Sequence, residues 1–162
     1  QIHDMTKELK QEYTLRITQA NKTQLITILY EMALLYVDEA QEALAAGDRT
    51  ELKNAVRRIQ GCMCELMDSL HMEYEVAHNL LQLYLYVNRE VAKAALHNDA
   101  ESLEHVRPVL EQLLAAYKQI EGQDVSGPVM GNAQTVYAGL TYGRNDLMEN
   151  AADPAANRGF CV

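Results

Sequence analysis

The placement of glycine and proline constrains this chain most, because these residues end or break regular helix. Before residue 122 the only glycines are Gly47 and Gly61, and the only proline is Pro108. Six glycines and two prolines then fall in the last 41 residues. The sequence therefore predicts nearly unbroken helix up to residue 121 and a mostly non-helical tail over residues 122–162.

Cap residues divide the helical part into four main helices. Asn21 opens the first in a capping box, and Gly47 ends it. Asp48 caps the second helix, the third covers about residues 74–97, and Asp99 caps the fourth. Residues 21–121 are therefore expected to form one helical unit.

Apolar residues recur every three or four positions in each of these segments, which predicts one buried face per helix. Loops of two to four residues force neighbouring helices to run antiparallel. The predicted fold class is all-α, an antiparallel up-and-down four-helix bundle. A short extra N-terminal helix within residues 1–20 would place Leu9, Tyr13 and Ile17 on one side. Pro108 predicts a kink in the last helix.

The tail over residues 122–162 is expected to dock rather than to hang free. Over residues 136–143 an apolar set alternates with a second set, which is typical of extended backbone. The first set is Val136, Ala138, Leu140 and Tyr142, and the second is Tyr137, Gly139, Thr141 and Gly143. The tail also contains more apolar side chains than a disordered linker usually has. The residues expected to dock on this chain or on a neighbour are Val136, Tyr137, Leu140, Tyr142 and Leu147.

The net charge of −9, from 23 acidic and 14 basic side chains, disfavours two classes of partner. A negative field repels phosphate backbones and anionic lipid, so we expect no nucleic-acid partner and no membrane-surface partner. No apolar run approaches the roughly 20 residues of a membrane span, so no membrane insertion is expected. The three cysteines are expected to be reduced thiols, which favours a cytoplasmic location. Residues 1–20 are charged throughout and lack a secretory apolar core.

Two kinds of chemistry are alternatives to a binding function. Glu75 and His78 have the Glu-x-x-His spacing of di-metal bundles, but the chain offers no second copy of that motif. Among histidines that could carry a phosphoryl group, His71 and His97 fall at helix ends, and His78 is crowded by carboxylates such as Glu73. We therefore expect no enzyme, no metal and no cofactor, with a metal-binding or phosphotransfer bundle as the alternative.

Two segments of the chain carry a family resemblance. The first is residues 13–30, with the sequence YTLRITQANKTQLITILY. The second is residues 65–86, with ELMDSLHMEYEVAHNLLQLYLY, and it is followed by Asn98, Asp99 and a closing helix. Over residues 13–121 the chain resembles the FliS family, the flagellar export chaperones for flagellin.

The resemblance implies a cytoplasmic, non-enzymatic chaperone that holds the disordered C-terminal segment of flagellin in apolar grooves until type III secretion. The C-terminal region of flagellin is the implied partner, and the flagellar export apparatus is a further candidate. By the match to the family, Tyr13 and Ile17 are candidates for a mobile lid. An adaptor for another secreted client is a second alternative, and a tail-mediated homo-oligomer is a further candidate assembly.

The candidate client-binding residues combine this match with the apolar positions of the helices. They are Tyr13, Ile17, Leu25, Leu29, Tyr30, Met63, Met67, Leu70, Tyr74, Leu81 and Tyr84. Core and groove positions share the same helical period, so spacing alone does not separate them. Met63 and Met67 illustrate this, because methionine suits both a gap in the core and an adaptable surface for an apolar helix.

Overall fold

The computed structural model describes residues 7–129, which form five α-helices and no β-strand. The helices are α1 (Lys7–Gln19), α2 (Lys22–Ala46), α3 (Arg49–Asp68), α4 (Glu75–His97) and α5 (Ala100–Glu121). Both α2 and α4 pack against α3 and α5, so these four helices form a closed bundle. The shorter α1 packs on α2. The predicted all-α class with an extra N-terminal helix is confirmed.

Polar contacts show that the bundle helices alternate in direction. Arg107 near the start of α5 pairs with Asp38 in the second half of α2. His105, also early in α5, lies 3.3 Å (Nδ1 to Oε2) from Glu90 late in α4. Both α2 and α4 therefore run antiparallel to α5, and a two-residue turn reverses the chain between α2 and α3. This is the predicted up-and-down arrangement.

The helix ends form where the cap residues predict them. The Asn21 side chain accepts a hydrogen bond from the Gln24 amide at 2.9 Å, and Gln24 Oε1 accepts one from the Asn21 amide at 2.9 Å. Gly47 takes up φ 72°, the left-handed conformation that ends α2. Asp48 and Asp99 each accept a backbone N–H from the first turn of α3 and α5. Local chemistry thus sets these boundaries.

The centre of the bundle contains a pair of tyrosines. Tyr30 of α2 and Tyr84 of α4 are fully buried, and their hydroxyl oxygens lie 2.5 Å apart. The ring of Tyr117 on α5 is 5.4 Å from that of Tyr30, centroid to centroid. Burial raises the pKa of Tyr84 to about 12 and raises the pKa of Tyr30 as well. Each hydroxyl is thus the other's hydrogen-bond partner in a largely apolar core.

The remaining segments differ in how far the structure describes them. Pro108 lies inside α5, and the helix continues past it to Glu121. Residues 122–129 are non-helical and contact the turn between α1 and α2. None of the helices formed by residues 7–129 has the length and apolarity to cross a membrane. The predicted tail positions Val136, Tyr137, Leu140, Tyr142 and Leu147 lie outside the described residues.

Candidate binding surfaces

The short helix α1 is held on the bundle by three apolar side chains, Leu9, Tyr13 and Ile17, and by the Glu31 carboxylate. Tyr13 and Ile17 are buried at the contact with the bundle. Glu31 of α2 accepts hydrogen bonds from the Tyr13 hydroxyl at 3.3 Å and from Arg16 Nη1 at 2.6 Å. Lys118 of α5 approaches the same carboxylate, with its Nζ 3.7 Å from Oε1. A small set of contacts therefore fixes α1.

The charged contacts of α1 contribute less than its apolar ones. Arg16 lies over the ring of Tyr13, 5.2 Å from the centroid, and is partly exposed to solvent. An ion pair in such a position stabilises by about 1 kcal/mol or less, whereas a buried Tyr or Ile contributes roughly 2 kcal/mol. Burial, and then the Glu31 carboxylate, raises the pKa of Tyr13, so its hydroxyl remains a neutral donor to Glu31. The attachment of α1 thus depends mainly on Tyr13 and Ile17.

A second surface follows the seam between α4 and α5. Val76, Leu80 and Leu83 succeed each other at steps of four and three residues and share one side of α4. Glu90, seven residues further along the same side, contacts His105 of α5. This row of side chains therefore borders α5. Val76 is 61% exposed and Leu83 is 37% exposed, so the row is open to solvent.

Helix α5 contributes apolar side chains to the same seam. Leu113 and Ile120 lie eight and fifteen residues after His105, within about a quarter of a turn of it around α5, so they are on the side of α5 toward α4. Leu113 is packed against the core, and Ile120 is 45% exposed. Single exposed apolar residues are ordinary on protein surfaces, whereas large apolar patches mark interaction sites. We define the α4–α5 strip as Val76, Leu80, Leu83, Leu113 and Ile120.

The structure divides the other sequence-predicted residues between the core and the surface. Tyr30, Met63 and Tyr84 have no exposed surface, so they contact a client only if the core rearranges. Tyr74, just before α4, is exposed. Four others are partly buried against the core, namely Leu25, Leu29, Met67 and Leu70, and Leu81 of α4 is also partly buried. The candidates therefore do not form one continuous surface.

Sequence reasoning missed several residues that define the surfaces. Val76 and Leu83 lie inside the second family-like segment, and their spacing of seven is a usable signal. That signal is weak because apolar residues occupy most sides of α4, and spacing does not tell which side meets a neighbour. Ile120 belongs to the apolar pattern of α5, and this pattern does not show that its side chain reaches the surface. Glu31 has no distinguishing pattern around it.

Ionisable groups do not converge on a metal site in the part of the chain that the structure describes. No group of three His, Cys, Asp or Glu side chains among residues 7–129 is arranged to hold a metal ion. Glu75 and His78 are both exposed in the first turn of α4. His71 is exposed beside Lys22, with its Nε2 2.6 Å from Nζ. The features that stand out on the surface are apolar and suit binding of a polypeptide.

The bundle with the covering helix α1 defines a small all-helical protein. The family model described as flagellar protein FliS matches residues 5–124. This chain belongs to the FliS family, as the sequence predicts.

Two similar proteins are both described as flagellar secretion chaperone FliS. The one from Salmonella typhimurium strain LT2 is 32% identical over 108 residues, which cover 64% of this chain and 79% of that protein. The one from Escherichia coli strain K12 is 26% identical over 107 residues, covering 64% of this chain and 78% of that protein. The similarity thus spans most of each relative.

Proposed function

We propose that this protein is a cytoplasmic, non-enzymatic export chaperone that binds the disordered C-terminal segment of flagellin and prevents its polymerisation before type III secretion. Membership of the FliS family and the names of two relatives support the chaperone role. The observation that carries the binding mode is the α4–α5 strip, a row of exposed apolar residues on an acidic bundle. The export apparatus would receive the chaperone with its cargo.

The strip suits an amphipathic client helix that lays its apolar face along the seam. Val76, Leu83 and Ile120 are each about half exposed, so covering them contributes roughly 1 kcal/mol apiece. Together they would improve affinity about a hundredfold. Ordering a disordered segment costs about 2–5 kcal/mol, so the client needs further apolar contact elsewhere on the bundle.

We propose that α1 covers this further contact area as a mobile lid. Tyr13 and Ile17 would cover the apolar surface of the bundle that a client helix would contact, and few polar contacts hold these two residues in place. Leu25 and Leu29, partly buried on α2, are candidates for residues that a client touches when α1 moves away. The apparent affinity for the client is then the affinity of the open form multiplied by the fraction of molecules in which the lid is open.

The tail is proposed to compete with the client for these surfaces. Val129, the last described residue, is hydrogen-bonded to the turn before α2, so the tail begins close to α1. The apolar residues between positions 133 and 148 would dock on their own chain or on a neighbouring copy. Docking on a neighbouring copy would give a homo-oligomer. Deletion of residues 127–162 should then tighten binding of a flagellin C-terminal peptide. Unchanged affinity would remove the tail from the proposal.

Calorimetric titration with a peptide of the flagellin C-terminal segment tests the main proposal. We expect Val76→Gln and Ile120→Gln each to weaken binding by about five- to tenfold, because each removes apolar surface from the strip. Leu96→Gln is the matched control, since Leu96 is 71% exposed near the end of α4, away from the strip. Equal affinity in all three variants contradicts the strip as the client site. A complete lack of binding by the native chain contradicts flagellin as the client.

A further inference from the structure

The segment that follows α5 is tied to the start of α2. Asn21 Nδ2 donates hydrogen bonds to the backbone carbonyls of Asp124 and Ser126, at 3.2 and 3.3 Å. The Thr23 hydroxyl donates to the Asp124 carboxylate at 2.6 Å. Asp124 also accepts a hydrogen bond from the Ser126 amide at 2.9 Å, which folds the segment into a tight turn. We call residues 122–129 the strap.

The strap also contacts the hinge of α1. Only Ala20 and Asn21 separate α1 from α2, so a swing of α1 must rotate the backbone of these two residues. The Val129 amide donates to the Ala20 carbonyl at 3.1 Å, and Asn21 holds the strap through its side chain. Both hinge residues are buried. The strap therefore engages the whole hinge.

The Asn21 side chain serves two purposes, and this couples the strap to the hinge. Its Oδ1 accepts the Gln24 amide and thereby caps α2, while its Nδ2 donates to the strap. The start of α2 thus serves as the fixed side of the hinge. The bond from Val129 to Ala20 restrains the moving side, because rotation of the Ala20 carbonyl breaks it.

We infer that the strap is a latch that keeps α1 docked, and that α1 opens when the strap leaves the α1–α2 turn. The inference rests on the proposed function insofar as α1 is the lid over client-binding ground. It adds that a segment following the bundle controls the lid. A partner that takes hold of the chain beyond the strap would thereby act on α1.

Native-state hydrogen exchange of the full chain, measured without any client, tests the latch. Thr23→Val keeps the shape of the side chain but loses the donor to Asp124, and Asp124→Ala removes the acceptor. We expect both variants to speed amide exchange in α1 roughly fivefold, while exchange in α3 stays unchanged. Gln123→Ala is the matched control, because Gln123 is an exposed neighbour of Asp124 in the strap.

A combined Thr23→Val and Asp124→Ala variant checks that the two changes act through one contact. It should exchange about as fast as the faster single variant, whereas additive effects would overturn the assignment. Native exchange rates in α1, or equal acceleration in α1 and α3, would also overturn the latch. Because no peptide is present, failure of flagellin binding would refute the proposed function and leave the latch intact.

Discussion

Replacing one tyrosine of the central pair by phenylalanine should destabilise the bundle more than replacing both. Tyr30→Phe leaves the Tyr84 hydroxyl in the core without the partner that lies 2.5 Å away, and Tyr84→Phe does the reverse. Both positions are fully buried, so water does not replace the lost hydroxyl without rearrangement. The aromatic ring remains in each variant, so the change is confined to one polar group.

The expected size follows from the cost of a buried, unsatisfied hydroxyl, which is about 1–3 kcal/mol. Each single variant should lose roughly 2 kcal/mol of unfolding free energy. The double variant loses both polar groups together and should be within about 1 kcal/mol of the native chain. The cycle therefore predicts a coupling energy of roughly 3 kcal/mol, and each single variant should melt several degrees lower.

Urea unfolding followed by circular dichroism measures these values, provided that the slope with denaturant stays the same in all four proteins. Phenylalanine at the exposed Tyr74 is the matched control and should leave stability unchanged. A double variant whose loss equals the sum of the single losses would show that the two hydroxyls do not depend on each other. That result would refute the argument that each hydroxyl is the hydrogen-bond partner of the other in the core.

Four further predictions concern the turns, the covering helix and the strap. Gly47→Ala should destabilise the protein by about 1 kcal/mol in thermal unfolding, because Gly47 has φ 72°, which strains a residue with a Cβ even though the space around it is open. Asn98→Gly should be neutral or slightly stabilising, because Asn98 has φ 54° and glycine adopts this conformation without strain. Glu31→Gln should speed hydrogen exchange in α1 a few-fold and tighten peptide binding by no more than that factor; slower exchange would contradict the role of Glu31. Hydrogen bonds from Ser126 and Thr23 lower the pKa of Asp124 to about 2. The contact between the Asp124 carboxylate and Thr23 should therefore be fully present above about pH 4 and be lost as the pH falls from about 4 to 2. A shift of the Val129 amide resonance over this pH range measures the loss.

The parts of the fold that were predictable from sequence depend on neighbours in the chain. The Asn21–Gln24 box and the Gly47 stop involve residues within one helical turn, so their chemistry is visible in the sequence. The extra N-terminal helix and the burial of Tyr13 and Ile17 also agree with their spacing. These local signals are sufficient for the helix order and the all-α class.

The candidate site was less predictable because it depends on how helices rotate against each other. Tyr30 and Met63 have the same apolar period as groove residues, but packing places them in the core. Leu83 has the same apolar period, but packing leaves its side chain exposed at the α4–α5 seam. The Thr23–Asp124 contact joins residues 101 positions apart, and nothing near either residue signals it. Tertiary packing, which spacing does not specify, decides each of these cases.

The position of the strap in the chain has a consequence for biosynthesis. The ribosome completes α1 first, but Thr23 meets its carboxylate partner only after 101 further residues have been added. At about 5–20 residues per second, that interval lasts roughly 5–20 seconds. During this time α1 has been synthesised but the strap has not, so the contact of the strap with the α1–α2 turn forms only after α5 has been synthesised.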